Sequence, residues 1–180
     1  MFTHKLFVTA ALALGALAAH AQMPAHGSPG LGTPISEEDV AAWNLDVLPD
    51  GTGLPPGSGT SADGAPVYAQ QCALCHGVNL EGGIAAALVG GRPLTDGIDT
   101  PKTIGTFWET AITIFDYTRR AMPFLAPRTL SDDQVYALTA YLLHMNGIIE
   151  EDDIMNAETL PQVQMPNRDG FIVRFPELMP

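Results

Sequence analysis

Cysteine is scarce in this sequence: its 180 residues contain two, Cys72 and Cys75. A zinc site would need a second C-x-x-C pair, which the chain lacks. A redox disulfide of the thioredoxin type would need a βαβ setting, and the sequence pattern shows none. The two thiols therefore call for a different chemistry.

Basic residues are also few, with 8 Lys and Arg against 20 Asp and Glu, which gives a formal net charge of −12. Such a surface argues against binding nucleic acid or anionic lipid. It favours steering toward a partner with a basic patch, although solubility alone would explain the charge equally well.

Long hydrophobic runs are limited to the N-terminus. Lys5, an apolar run over 6–19 and the A-x-A sequence at 19–21 predict a signal peptide, residues 1–21, cleaved after Ala21. The run is too short for a spanning helix, so we expect a periplasmic protein without stable membrane insertion. A retained membrane anchor is the alternative. No cysteine follows the cleavage site, which argues against a lipid anchor.

The sequence over 72–76 reads C-x-x-C-H. Two thiols at this spacing can each add across a vinyl group of one haem, and the following histidine then lies under the iron. We therefore predict one covalently attached haem c, with Cys72 and Cys75 as thioether links and His76 as proximal ligand. We also expect a backbone carbonyl from the following loop to orient His76, and the loop glycines to let the backbone approach the haem. Those glycines are Gly82, Gly83, Gly90 and Gly91.

Met122 is the predicted distal iron ligand. It lies before Pro123 in a loop after a predicted helix, and a thioether is the usual sixth ligand of electron-transfer haems. Packing in a core is the default role of any methionine and is the alternative for Met122. The other methionines that could bind the iron are Met23, Met145, Met155, Met165 and Met179. Trp108, Arg119 and Arg120 are candidate contacts to the haem propionates, with a core aromatic and solvated cations as the equally plausible alternatives.

Helix signals predict an all-α fold. Ser36 caps a short helix, Asp63 caps one with Pro66 in its first turn, and Ser131 caps one that ends at Gly147. A further helix is expected over 107–120, capped by Thr106 with Glu109. We predict an extended arm over 22–62 that is pinned to the domain by Trp43, Leu45, Val47 and Leu48. Binding of a partner by these four residues is the alternative. The domain covers 63–147, and a tail over 148–180 packs on it.

The order helix, C-x-x-C-H, loop, helix, Met-Pro, helix resembles the mono-haem class I cytochrome c domain. Three further stretches are similar to the cytochrome c subunit that partners a molybdenum-cofactor sulfite or sulfane dehydrogenase in bacterial sulfur oxidation. They are residues 115–124, 136–143 and 160–171 of the tail. The loop over 77–92 departs from the family, because it lacks the proline whose carbonyl often holds the proximal histidine. Some family members carry two haems, whereas this sequence has one motif.

The resemblance implies three main helices around one haem and an electron-transfer protein without catalytic residues. Electrons would come from the molybdenum subunit and pass to a downstream cytochrome or oxidase. A quinoprotein or another dehydrogenase is the rival donor. A haem peroxidase or a gas sensor is the alternative from another class, and each would need an open iron position.

Overall fold

The computed structural model describes residues 32–92, 94, 99–172 and 174–175. The predicted signal peptide, Met23 and Met179 lie outside these ranges. The chain divides into two units, Met1–Ala42 and Trp43–Pro180. Within the described ranges, no helix combines the length and the apolar character needed to cross a membrane.

Helix α1 spans Glu37–Trp43 and begins where the sequence predicted. The hydroxyl of Ser36 accepts from the N–H of Asp39 at 3.1 Å, and the Asp39 carboxylate accepts from the N–H of Ser36 at 3.0 Å. These reciprocal bonds satisfy N–H groups that a helix start leaves without partners.

Helix α2 spans Ser61–Gln71 and is followed by the short helix α3, Ala73–His76. The N-cap of α2 is Thr60. Asp63 is the third helical residue of α2, and its carboxylate accepts from the N–H of Thr60 at 3.1 Å. The prediction that Asp63 caps this helix is therefore wrong by three positions. Pro66 lies inside the helix instead of in its first turn, so one helical hydrogen bond is lost there.

The single helix predicted over 107–120 is two helices, α4 at Ile104–Phe107 and α5 at Ala111–Ala121. Thr103 caps α4, and Thr110 caps α5 by accepting from the N–H of Thr113 at 3.3 Å. Between them, Trp108 has extended backbone, with φ −65° and ψ 132°. A second threonine cap therefore restarts the helix three residues after α4 ends.

Helix α6 spans Asp132–Met145, with the predicted capping box of Ser131 and Gln134. Gly147 follows it with φ +67°, a conformation that glycine adopts readily at a helix end. The helix is buried on most of its surface, and Met145 at its end is 39 % exposed. It is the central element of the core.

The core forms where α2 crosses α6. The α2 residue Gly64 lies against Ala137, and a Cβ placed on Gly64 would be 2.6 Å from the Ala137 carbonyl carbon. Strand β1, Ser58–Gly59, pairs antiparallel with strand β2, Met155–Asn156. Apart from this ribbon and a 3₁₀ turn at Leu160–Gln162, the regular structure of the described residues is helical. The all-α prediction is confirmed, with α2, α5 and α6 as the main helices.

Segments on both sides of the predicted domain pack on the core. Val47 and Leu54 contact it from the predicted arm, and the hydroxyl of Tyr136 donates to the Pro55 carbonyl at 2.9 Å. The compact unit that contains this core begins at Trp43, whereas the sequence predicted a domain that begins at residue 63. Trp43 is nevertheless 81 % exposed and Leu48 is 49 % exposed, so these two do not pin the arm.

Candidate haem site

One cavity of about 440 Å³ opens between the main helices. Cys72, Cys75 and His76 line it from α3 and the residue before it, and Met122 lines it from the end of α5. The rest of the wall is mostly apolar. It comprises Tyr68, Gln71, Ile84, Ala85, Ala86, Leu88, Ile104, Trp108, Ile114, Tyr117, Thr118, Pro123, Phe124, Leu138 and Leu142. The predicted attachment and ligand residues therefore share one space.

The two cysteines reach the cavity because the backbone changes direction between α2 and α3. Cys72 has φ −124° and ψ −36°, and the carbonyl of Cys72 accepts from the N–H groups of both Cys75 and His76. Burial, with a smaller contribution from Cys75, raises the pKa of the Cys72 thiol to about 11. Reactive redox thiols have lowered pKa values, so this environment disfavours the disulfide alternative.

A metal-only site also finds no support. In the part of the chain that the structure describes, no three His, Cys, Asp or Glu residues are placed to hold a metal ion.

The His76 ring is oriented by the loop that follows it. Its Nδ1 lies 2.8 Å from the carbonyl oxygen of Ala86. A carbonyl can only accept, so Nδ1 carries the proton and Nε2 has its lone pair free for a metal. We predicted such a carbonyl without naming its residue. Ala86 supplies it here, whereas a proline often supplies it in the class I cytochromes c that the sequence resembles.

The loop reaches His76 through its own backbone bonds. The N–H of Ala85 donates to the Cys75 carbonyl at 2.9 Å, and the N–H of Gly82 donates to the His76 carbonyl at 2.8 Å. This loop contributes Ile84, Ala85, Ala86 and Leu88 to the wall of the cavity. The loop glycines do not line it, so the expectation that they approach the haem is wrong. Gly82, at φ +93°, makes a turn instead.

Met122 is positioned by the end of α5. Its N–H donates to the Thr118 carbonyl at 3.1 Å, and its extended backbone then leaves the helix. None of the other methionines in the described ranges lines the cavity. Met155 and Met165 are 4 % and 2 % exposed in the core, and Met145 is largely at the surface. His144 is half-buried and also lies outside the cavity.

The three residues predicted to contact the haem propionates do not all line the cavity. Trp108 lines the cavity, but Arg119 and Arg120 do not. The Arg119 Nε lies 3.0 Å from an Asp132 carboxylate oxygen. Arg120 holds both Asp116 oxygens at 2.8 Å, and this carboxylate raises the pKa of the guanidinium. Protein carboxylates thus engage both guanidinium groups, and contacts of Arg119 and Arg120 to the haem propionates stay a prediction.

One wall residue, Tyr68, follows from its spacing to the motif, because positions 68, 72 and 75 share one side of a helix. The Tyr68 hydroxyl also donates to the Gly77 carbonyl at 2.7 Å, which fixes the end of α3. Burial raises the pKa of Tyr68 to about 12. Phe124, Leu138 and Thr118 carry no local signal of their own, because their place in the wall depends on how α5 and α6 cross.

The residues fit a covalently attached haem. Two thiols, an imidazole with a free Nε2 and a thioether open on one apolar space, which is the donor set of a c-type haem with two axial ligands. A bare metal ion would instead favour a polar cage of ligands.

Comparisons with known proteins agree with a covalently bound c-type haem. A family model described as cytochrome c oxidase, cbb3-type, subunit III matches residues 59–142. A chain in the crystal structure of the sulfane dehydrogenase SoxCD from Paracoccus pantotrophus is 41 % identical, with a TM-score of 0.77. The match covers 84 % of this chain and 75 % of that one.

Proposed function

This chain belongs to the cytochrome c family, and we propose that it is a periplasmic carrier taking electrons from a molybdenum-cofactor sulfite or sulfane dehydrogenase subunit. Membership confirms the class I cytochrome c resemblance and the relation to the sulfane dehydrogenase cytochromes. The protein has an electron-transfer role and a covalently bound c-type haem with iron. The donor, the acceptor and the compartment are the proposed part.

The observation that carries this function is the convergence of Cys72, Cys75, His76 and Met122 on one cavity. We assign the cysteines to covalent attachment, His76 to the proximal position and Met122 to the distal one. When bound, the haem iron supplies one-electron oxidation and reduction. Apolar walls exclude water, and the Ala86 carbonyl holds the His76 ring in one orientation.

The same residues weigh against a peroxidase or a gas sensor. Either would need an open iron position, and a peroxidase would want a distal histidine or arginine. Among the described residues, the cavity wall contains one histidine and no arginine. With Met122 available as sixth ligand, a carrier without bond chemistry of its own is the better match.

The donor assignment is supported by the sulfane dehydrogenase relative, to which this chain is 41 % identical. A downstream cytochrome or oxidase is the proposed acceptor, and the predicted signal peptide supports the periplasm.

Replacing Met122 tests the axial ligand. We expect Met122→Ala to lose the near-infrared absorption band of methionine-ligated oxidised haem, to lower the reduction potential and to bind carbon monoxide when reduced. Met145→Leu is the matched control, because Met145 is partly exposed and outside the cavity. If Met122→Ala keeps the band and the potential of the control, Met122 does not bind iron and the carrier proposal loses its basis.

The donor needs a separate experiment. We expect the holoprotein to co-purify with a molybdenum protein, and sulfite or a sulfane substrate to reduce the haem in that preparation. Reduction only by a quinoprotein with its own substrate would identify the rival donor. A monomer that no sulfur substrate reduces, in the presence of the co-expressed molybdenum subunit, would contradict the assignment.

A further inference from the structure

The tail returns to the end of α4 through one short turn, residues 165–171, which we call the tail turn. Met165 anchors it in the core at 2 % exposure. The turn closes through the N–H of Gly170, which donates to the Asn167 carbonyl at 3.0 Å. The Asn167 side chain crosses Gly170 so closely that a Cβ there would overlap Asn167 Oδ1. This packing holds the amide in one orientation.

The Asn167 amide is directed at the end of α4. Its Nδ2 donates to the Phe107 carbonyl at 2.8 Å. Phe107 is the last residue of α4, so its carbonyl has no partner within the helix. Asn167 therefore supplies from the tail the hydrogen bond that ends this helix, and the chain turns at that point into Trp108.

A row of aromatic rings makes a second link between the tail turn and the cavity wall. The Phe171 ring lies 5.6 Å from the Phe107 ring, edge to face. Phe107 in turn lies 5.4 Å from Trp108, also edge to face. Trp108 is part of the cavity wall and lies 6.5 Å from the ring of Tyr117, another wall residue. Edge-to-face pairs at these separations are mutually attractive.

We propose that Asn167 and Phe171 are positioning residues for the haem cavity. Through the Phe107 carbonyl and ring, they hold Trp108 in the wall and keep water away from the cofactor. Since burial and local polarity tune a haem potential, loosening this wall should lower the potential, because water favours the more highly charged oxidised state. The proposal rests on the haem site assigned above and is independent of which dehydrogenase donates electrons.

The sharpest variant is Asn167→Asp, which keeps the side-chain shape but replaces the N–H donor by an acceptor facing a carbonyl. Its matched control is Gln164→Glu, an exposed amide three residues earlier whose Nε2 contacts only the nearby Gln162 carbonyl in the tail. Both changes add the same charge to the same segment. The comparison therefore isolates the hydrogen bond to Phe107.

Both readouts use the isolated holoprotein. In a Trp43→Phe background Trp108 is the remaining tryptophan, and the adjacent haem quenches its emission by energy transfer, so the emission intensity reports how closely the wall holds Trp108 to the cofactor. We expect Asn167→Asp to lower the reduction potential and to increase the intensity of Trp108 emission relative to Gln164→Glu. The methionine-ligand band should stay in place, which separates this result from a failure of the Met122 assignment.

A second variant keeps the proposal testable if Asn167→Asp does not fold. Phe171 is 44 % exposed, so Phe171→Leu should fold while losing the edge-to-face contact, and Phe171→Tyr should restore it. We expect the potential and the emission to change with leucine and return with tyrosine. If these variants lower only the unfolding midpoint, with potential and emission equal to the control, the tail turn serves stability alone and the proposal is overturned.

Discussion

Gly64 in α2 offers the most informative stability test, because two physical effects of one methyl group oppose each other there. In a helix, alanine is favoured over glycine by about 1 kcal/mol. At Gly64, however, the new Cβ would be 2.6 Å from the Ala137 carbonyl carbon and 2.7 Å from the Tyr141 Cβ. We therefore expect Gly64→Ala to destabilise the protein despite its better helix propensity.

The magnitude follows from what has to move. Ordinary carbon–carbon contacts start near 3.5 Å, and the backbone of Ala137 cannot rotate away, so α2 and α6 must separate. Overpacking of a core costs about 1–3 kcal/mol. Because the clash here is with backbone, we expect a cost of about 3 kcal/mol. Subtracting the propensity gain leaves a loss of about 2 kcal/mol in the free energy of unfolding.

Urea unfolding of the holoprotein, followed by far-ultraviolet circular dichroism, measures this free energy. The control is Ala69→Gly, an exposed position in the same helix, which should lose about 1 kcal/mol through propensity alone. A Gly64→Ala protein that is more stable than the wild type by about the propensity difference would refute the close helix contact.

Two further changes test local features of α6. Ser131→Ala removes the hydroxyl that accepts from the Gln134 N–H and should cost about 1 kcal/mol of unfolding free energy, whereas an unchanged urea midpoint would contradict the capping box. Burial raises the pKa of Tyr136 to about 12, so its neutral form stabilises the fold fully below about pH 10, and this contribution is lost as the pH rises toward 12. The stability difference between wild type and Tyr136→Phe should therefore be about 1.4 kcal/mol smaller at about pH 11 than at about pH 8, and an equal difference at both would be the opposing result.

Errors in the helix predictions arose where local capping signals competed with contacts from distant parts of the chain. Thr106 and Glu109 have the spacing of a capping box, yet Thr103 and Thr110 are the residues that cap. Asn167 supplies the bond that ends α4, and it is sixty residues away along the chain. Sequence periodicity in this region could not reveal a stop that a distant amide provides.

The carboxylate partners of the two arginines were hidden from the sequence for a similar reason. Arg119 and Arg120 follow the pattern of cations near a candidate ligand, but their partners include Asp132 and the distant Asp46. Which carboxylate meets a guanidinium depends on how α5 packs against α6 and against the segment before α2. That packing leaves no trace in the residues around the arginines.

The sequence by itself determined the chemistry of this protein. Covalent attachment and proximal ligation need only residues 72–76, and the caps of α1 and α6 need only four residues each, so short-range spacing was sufficient. The tertiary structure decided the surroundings of that chemistry. The Ala86 carbonyl on His76 and the tail amide on Phe107 join parts of the chain that only folding brings together. Attachment is a local covalent property, whereas orientation and water exclusion come from packing across the whole domain.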